Sequence, residues 1–253
     1  MRVVLAQISP KLKKTTIEEF ANYLKDVDKS VDLVVLPELA LNGYLLKDAV
    51  FEDAYDANEI EEFAKLAQGF DLVFGAVLQE ENRFFNSAFY CSSGKIILIH
   101  RKTSLPNYGL FQEARFFFKG ESIEPFISRF GKTFVVICEE LYNASIIEKI
   151  ASNRADLVIV ISNSPSRGFS EDGLLIQKQW ESLLGTTALL SGANVIFVNR
   201  VGFEDGLGFW GGSCVLNPKT QLLKRAELFQ EQKLMVDIDE KLSQTQKYLL
   251  REY

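Results

Sequence analysis

A carboxylate, an ammonium and a thiol stand at the ends of three apolar runs in this chain. Glu38 follows Val34-Val35-Leu36-Pro37, Lys102 follows Ile96-Ile97-Leu98-Ile99-His100-Arg101, and Cys138 follows Phe134-Val135-Val136-Ile137. In open α/β sheets, ligands gather at the carboxyl ends of the strands, so runs that fold as neighbouring strands would deliver all three groups to one edge. That combination suits acyl transfer through a thiol. The nucleophile is the thiolate, and a free cysteine has a pKa of about 8.5, so a base must take its proton. The chain holds one histidine, His100, which leaves Glu38 as the candidate base. Lys102 would place fixed positive charge where a tetrahedral oxyanion develops, and would favour the thiolate. The backbone N–H of Glu139, next after the nucleophile, would be a second oxyanion donor.

Taken singly, each of these residues has a plainer reading. A cysteine after a β run is by habit a small core residue, a glutamate after proline is a loop residue or helix cap, and an isolated lysine is a solvated charge. His100 lies two positions before Lys102, so strand alternation puts both side chains on one face and leaves a Cys138–His100 dyad conceivable. Cys91 and Cys214 sit in aromatic and apolar runs and read as core. Arg115 with Phe116 to Phe118 reads as structural rather than as a nucleic-acid stacking platform. Trp180 and Trp210 fall in apolar segments that would shape a pocket or a protomer interface.

The elements that must position the triad alternate β-rich runs with amphipathic ones. Arg2 to Ile8 reads as a strand, and Ile17, Phe20, Ala21, Leu24 and Val27 recur at helical spacing. Thr15 with Glu18, or Thr16 with Glu19, offers that helix a capping box. Val31 to Leu36 completes a first β-α-β unit. A second helix carries Ile60, Phe63, Ala64 and Ala67 and closes at Gly69; Phe70 to Leu78 is the next strand. Phe85–Ser92 and Lys95–Ile99 flank Ser93-Gly94 as a hairpin. Strands at Thr133–Ile137 and Leu157–Ile161 enclose a helix at Ser145–Asn153. A long helix at Leu174–Leu190 then precedes strands at Val195–Val198, Gly211–Leu216 and Leu234–Ile238, with a turn at Asn217-Pro218. The C-terminal Glu and Lys residues read as a solvated face. No repeat or interdomain linker breaks the pattern, so the expectation is one α/β domain over residues 1–253.

Composition narrows the class. The 253 residues are 47% hydrophobic and 25% charged, with 28 basic and 34 acidic residues giving a net charge of −6. A chain of this size buries a core without staples, and its acidic balance lacks the clustered positive charge of a nucleic-acid binder. The longest apolar runs are too short to span a bilayer. Three cysteines cannot all pair and none stand at CxxC spacing, so neither a disulfide framework nor a structural zinc site is expected. The simplest location is a reducing cytoplasm.

The sequence around each of the three polar residues adds a resemblance. Val34-Val35-Leu36-Pro37-Glu38-Leu39 with Asn42-Gly43-Tyr44, Arg101-Lys102-Thr103-Ser104-Leu105-Pro106-Asn107-Tyr108-Gly109, and Val136-Ile137-Cys138-Glu139-Glu140-Leu141-Tyr142 resemble the glutamate, lysine and cysteine motifs of the nitrilase (carbon–nitrogen hydrolase) superfamily. Their order matches too. Later segments, Ser162-Asn163-Ser164-Pro165, Asn199-Arg200-Val201-Gly202 and Gly212-Ser213, are similar to further family signatures. The resemblance implies a four-layer α-β-β-α sandwich, protomers paired as a homodimer or higher homo-oligomer, and metal-free, cofactor-free hydrolysis of a non-peptide C–N bond through a thioester. It assigns Glu38 as base, Lys102 as oxyanion stabiliser and Cys138 as nucleophile, with Glu113 holding the lysine and helping to position a small-molecule amide. Leu105 to Phe117 is most similar to the glutaminase domain of glutamine-dependent NAD synthetases, where Tyr108, Phe111 and a serine near Ser164 would line a glutamine pocket. Gln112, Tyr142 and Ser166 depart from the residues usual there. The implied protein is a free-standing amidase. Acyl transfer to an amine and a non-catalytic binding module are the two competing expectations.

Overall fold

The computed structural model describes residues 1–171 and 173–249; residues 172 and 250–253, part of the expected domain span, lie outside the described residues. In chain order the first half runs β1 (Arg2–Gln7), α1 (Ile17–Leu24), β2 (Leu33–Val35), α2 (Val50–Asp53), α3 (Ala57–Ala64), β3 (Asp71–Glu80), β4 (Arg83–Ser92), β5 (Lys95–Arg101) and α4 (Glu113–Phe116). The second half begins β6 (Phe126–Ser128), β7 (Gly131–Ile137), α5 (Ala144–Ser152), β8 (Leu157–Ser162), β9 (Phe169–Ser170), β10 (Gly173–Leu174), α6 (Leu175–Ser191) and β11 (Asn194–Asn199). It closes with β12 (Val201–Glu204), β13 (Leu207–Trp210), β14 (Cys214–Leu216), β15 (Leu222–Arg225), β16 (Gln232–Asp237) and α7 (Glu240–Leu249).

Two six-stranded sheets result, ordered β16-β1-β2-β3-β4-β5 and β15-β14-β11-β8-β7-β6. Each has a parallel centre, β1-β2-β3 in one and β7-β8-β11 in the other, with antiparallel strands outside it. The layering follows from strand alternation. In the first sheet Val4, Ala6, Val34, Leu72 and Phe74 face Phe20, Ile60 and Phe63 of α1 and α3. Their alternates Val3, Leu5, Leu33, Val35 and Val73 meet Val135, Ile137, Ile159, Ile161 and Val198 of the second sheet. That sheet's other face, with Phe134, Val136, Val158, Val160 and Phe197, packs on Ile147, Ile150, Trp180 and Leu184 of α5 and α6. The order of layers is therefore α-β-β-α, as the resemblance implied.

Local signals agree with this. Of the two capping boxes available to α1, the structure uses Thr16 and Glu19; Asp56 and Glu59 cap α3 likewise. Ser93 and Gly94 both take positive φ, +51° and +74°, the two-residue turn whose twist suits a hairpin. One expected strand is shorter than the sequence suggests. Gly211 and Gly212 adopt φ of +69° and +66°, so the strand begins only at Cys214. The glycine-rich stretch before it is a hairpin, β12 and β13. Cys91 and Cys214 are buried in the core, as expected. Trp180 and Trp210 are also buried within the chain, which removes them from any protomer interface. Among the described residues, no helix is long and apolar enough to cross a membrane.

Candidate active site

Glu38 lies just beyond β2, Lys102 just beyond β5 and Cys138 just beyond β7. The backbone there is closely nested. Gly75 of β3 passes directly under the glutamate, where an added Cβ would stand 2.3 Å from Leu39 N and 2.8 Å from Glu38 Cα. Only a residue without a Cβ admits this approach. The pairing of β4 with β5 is continued by the Lys102 N–H, which donates to the Asn86 carbonyl at 2.8 Å.

The ammonium of Lys102 donates to Glu38 Oε1 at 2.7 Å and to Glu113 Oε1 at 2.8 Å. All three side chains are buried. Every further contact fixes a carboxylate. Asn86 Nδ2 donates to Glu38 Oε1 at 2.7 Å, the Asn163 N–H to Glu38 Oε2 at 2.7 Å, and the Tyr44 hydroxyl to Glu113 Oε1 at 2.8 Å. Glu113 Oε2 has no partner among the described residues. Tyr44 is itself held from behind: Glu204 Oε2 accepts the N–H groups of Tyr44 and Leu45, and Glu204 Oε1 accepts from Arg200 at 2.5 Å.

Cys138 is half-buried, and its thiol receives the hydroxyl of Ser162 at 3.1 Å. Ser162 ends β8 and Asn163 follows it, so one strand end contacts both the thiol and the glutamate. Cys138 adopts φ +45°, a conformation costly for a residue with a Cβ and one that clusters at functional sites. Burial pushes its thiol above the ordinary range, and the Glu38 carboxylate adds to this; the pull of Lys102 towards thiolate is outweighed. A shift in this direction favours the thiol over the thiolate.

Burial lowers the proton affinity of Lys102, but Glu113 and Glu38 together more than offset this and hold it charged. Two carboxylates then share one ammonium. Burial, with repulsion from Glu38, lifts Glu113 to about 7 against the attraction of Lys102. A carboxylate raised in this way keeps its proton in the native state after the unfolded chain has released it. Native stability from this group therefore falls as pH rises from about 4.5 to about 7. In denaturant titrations the wild-type midpoint is expected to drop more between pH 5 and pH 7 than that of Glu113→Gln. Equal slopes would contradict the assignment.

Around the thiol lie residues expected to contact substrate. The Tyr108 hydroxyl donates to both oxygens of Glu139 at 3.0 Å. Phe111 packs edge-on against Tyr108 and Tyr44, and Arg167 lies over the Phe111 ring at 5.6 Å. Tyr108 and Tyr142 each sense both Cys138 and Arg167 electrostatically. Ser164 is placed differently: its hydroxyl accepts the indole N–H groups of Trp180 at 2.9 Å and Trp210 at 3.4 Å. A cavity of about 260 Å³ is lined by Tyr44, Phe111, Glu113, Phe116, Phe117 and Leu207 among others, and reaches the cluster at Glu113. His100 is committed elsewhere, its Nε2 lying 2.8 Å from Glu140 Oε2. Among the described residues, no group of three or more His, Cys, Asp or Glu side chains is arranged to hold a metal ion.

The sequence reading did not single out Asn86, Ser162, Asn163, Glu204 or Arg167. Asn86 acts on Glu38 from β4 and Asn163 from just beyond β8, both remote in sequence, and only the three-dimensional fold reveals it. Asn163 and Arg200 stand inside quoted motifs, yet nothing in a motif says which atom a side chain or N–H will meet.

Known proteins resemble this chain along most of its length. The carbon-nitrogen hydrolase family profile matches residues 2–248. The glutamine-dependent NAD(+) synthetase of Thermotoga maritima is 30% identical over 255 aligned positions, covering 94% of this chain and 42% of that protein. In structure, the glutamine-dependent NAD+ synthetase of Acinetobacter baumannii, in complex with ADP, superposes with a TM-score of 0.79 at 28% identity, over 96% of this chain and 46% of that one. A carbon-nitrogen hydrolase from Helicobacter pylori G27 shares the fold over the whole chain and 95% of its own, with a TM-score of 0.87 at 24% identity. The chain thus spans less than half the length of the synthetases it matches.

Proposed function

Because the chain belongs to the carbon-nitrogen hydrolase family, we propose that it hydrolyses a small linear carboxamide, releasing ammonia through a thioester on Cys138. The observation that carries this reading is the buried Glu38–Lys102–Glu113 ion network, tied to the Cys138 thiol through Ser162 and Asn163 at the end of β8. Cys138 Sγ attacks the amide carbon while Glu38 takes the thiol proton. The carbonyl oxygen becomes an oxyanion beside Lys102 and the Glu139 N–H. Glu38 returns the proton to the nitrogen as the C–N bond breaks, ammonia leaves and the thioester forms. Water, deprotonated by the same carboxylate, then attacks the thioester and regenerates the thiol with a carboxylic acid product. A fixed cation in a dry site stabilises such an oxyanion far better than it would in water.

The groups around the thiol support an amide carrying charges at its far end. Arg167 offers a cation to a carboxylate, Glu139 a carboxylate to an ammonium, and the rings of Tyr108 and Phe111 lie between. That pairing suits an amino-acid amide such as glutamine better than an uncharged amide. Assay of a panel of amides, carbamoyl compounds and nitriles for ammonia tests this. Glutamine or a close analogue is expected to turn over fastest, and Arg167→Ala to raise KM for it by roughly 10-fold, the loss of about 1.4 kcal/mol of binding, with kcat little changed. Equal loss on uncharged amides would show that Arg167 does not read the carboxylate.

A further inference from the structure

We propose that Glu140 is a positioning residue that sets the lysine segment and the cysteine segment in register across the two sheets, with His100 as its partner. The proposal rests on the catalytic reading of Lys102 and Cys138 given above. The Glu140 carboxylate lies beyond β7 of the second sheet, fully buried, two positions after Cys138. Its Oε2 accepts the Ile137 N–H at 2.7 Å, fixing the backbone immediately before the nucleophile. Its Oε1 accepts both the N–H and the hydroxyl of Thr103 at 2.7 Å, fixing the backbone immediately after Lys102. His100 Nε2 approaches both oxygens, at 2.8 and 3.0 Å, from the last residues of β5 in the first sheet. An ionised carboxylate only accepts, so this nitrogen carries the proton.

A single side chain thus meets residues on both sides of Lys102 and the residue preceding Cys138. The surroundings make the arrangement demanding. The sheets meet largely through apolar side chains, Val135, Ile137, Ile159 and Ile161 among them, and a buried carboxylate is costly unless donors surround it. Burial pushes Glu140 up, but His100 and the donors at Thr103 and Ile137 outweigh this and hold it below the ordinary carboxylate range. The lone histidine therefore serves this carboxylate and takes no part in a dyad with the thiol. Its ring stands on β5, and Lys102, two positions on, directly follows the end of the same strand, so a loosened ring loosens the ammonium.

The test compares His100→Leu, which removes the donor, with His100→Gln, which keeps an N–H in reach, and adds Thr103→Val and Glu140→Gln. Three readouts are taken on folded protein: kcat and KM for the best amide, the rate of Cys138 alkylation by iodoacetamide, and the thermal midpoint. His100→Leu is expected to lower kcat by about 10²-fold, the scale of loss for a small misplacement of reacting groups. KM should change by less than about threefold, alkylation should slow in parallel, and His100→Gln should recover most of the loss. If His100→Leu and Thr103→Val lower only the midpoint while kcat and alkylation hold, or if His100→Gln is as impaired as His100→Leu, the proposal fails. The alkylation arm needs no substrate. Should the wild type release ammonia from no amide, the catalytic reading falls by itself, and unchanged alkylation in the variants would separately overturn the role of Glu140.

Discussion

Replacing Cys138 by alanine is expected to reduce ammonia release by roughly 10⁴-fold or more, the scale seen when a nucleophile acting in a catalytic unit is removed, with little change in stability. The side chain is half-buried and makes one hydrogen bond, from Ser162, so its loss leaves no buried charge. The alanine also keeps a Cβ, so the backbone at φ +45° is no more strained than before. Mass spectrometry after rapid quenching is expected to find an acyl adduct of the wild type on Cys138 and none on the variant. Turnover of the best amide at wild-type rate by Cys138→Ala would end the thioester mechanism, whereas a wild type that turns over no amide would leave a binding module as the surviving reading. Added hydroxylamine separates the other competitor. A hydroxamate that replaces the acid product in proportion to its concentration would mark transfer to amines, whereas water as the dominant acceptor marks hydrolysis.

How far the sequence reaches is set by the range of each physical cause. Strand identity and face are local, so the alternation in Val3-Val4-Leu5-Ala6 and in Phe134-Val135-Val136-Ile137 already assigns the residues to two opposite layers. The strand-end position of Glu38, Lys102 and Cys138 is equally local, and the fold brings Glu38 and Lys102 into direct contact. Sheet order is not local. Nothing near Asn86 announces that its amide will reach a glutamate 48 positions away, because this depends on β4 lying one strand beyond the β3 that carries Gly75. The same holds for Glu140 and His100, whose meeting depends on the stacking of one sheet on the other. Spacing alone left His100 open to the thiol, whereas the structure sets its ring against the Glu140 carboxylate.

The polar elements escaped for a different reason. Helix α7 buries little beyond Ser243, so its apolar periodicity is faint and its charges read as a solvated face. Between the strands expected at Val195–Val198 and Gly211–Leu216 the sequence suggests no element. In the fold this stretch forms a hairpin whose Trp210 fills the core and whose Glu204 braces Tyr44. Tyr44 in turn meets Glu113, so the hairpin reaches the ion network through Glu204.

Lys102→Met should show what that network costs when its one cation is withdrawn. The methionine fills the volume of the lysine stem but leaves Glu38 and Glu113 buried and facing each other without a counter-ion. Removing one partner of a buried pair costs about 3–5 kcal/mol, because the other charge stays desolvated. At 2–4 °C per kcal/mol for a chain of this size, the thermal midpoint is expected to fall by about 6–20 °C. Turnover should fall by at least about 10³-fold, the upper range for loss of a single oxyanion donor, since the base loses its anchor as well. The stability deficit carries a sign in pH. Acid neutralises the carboxylates that lost their counter-ion, so the gap between wild type and variant should narrow as pH is lowered from 8 to 5. A deficit that stays constant over that range, or a variant that retains wild-type turnover, would mean that the ammonium at 2.7 Å from Glu38 neither neutralises the cluster nor supports the chemistry at the thiol.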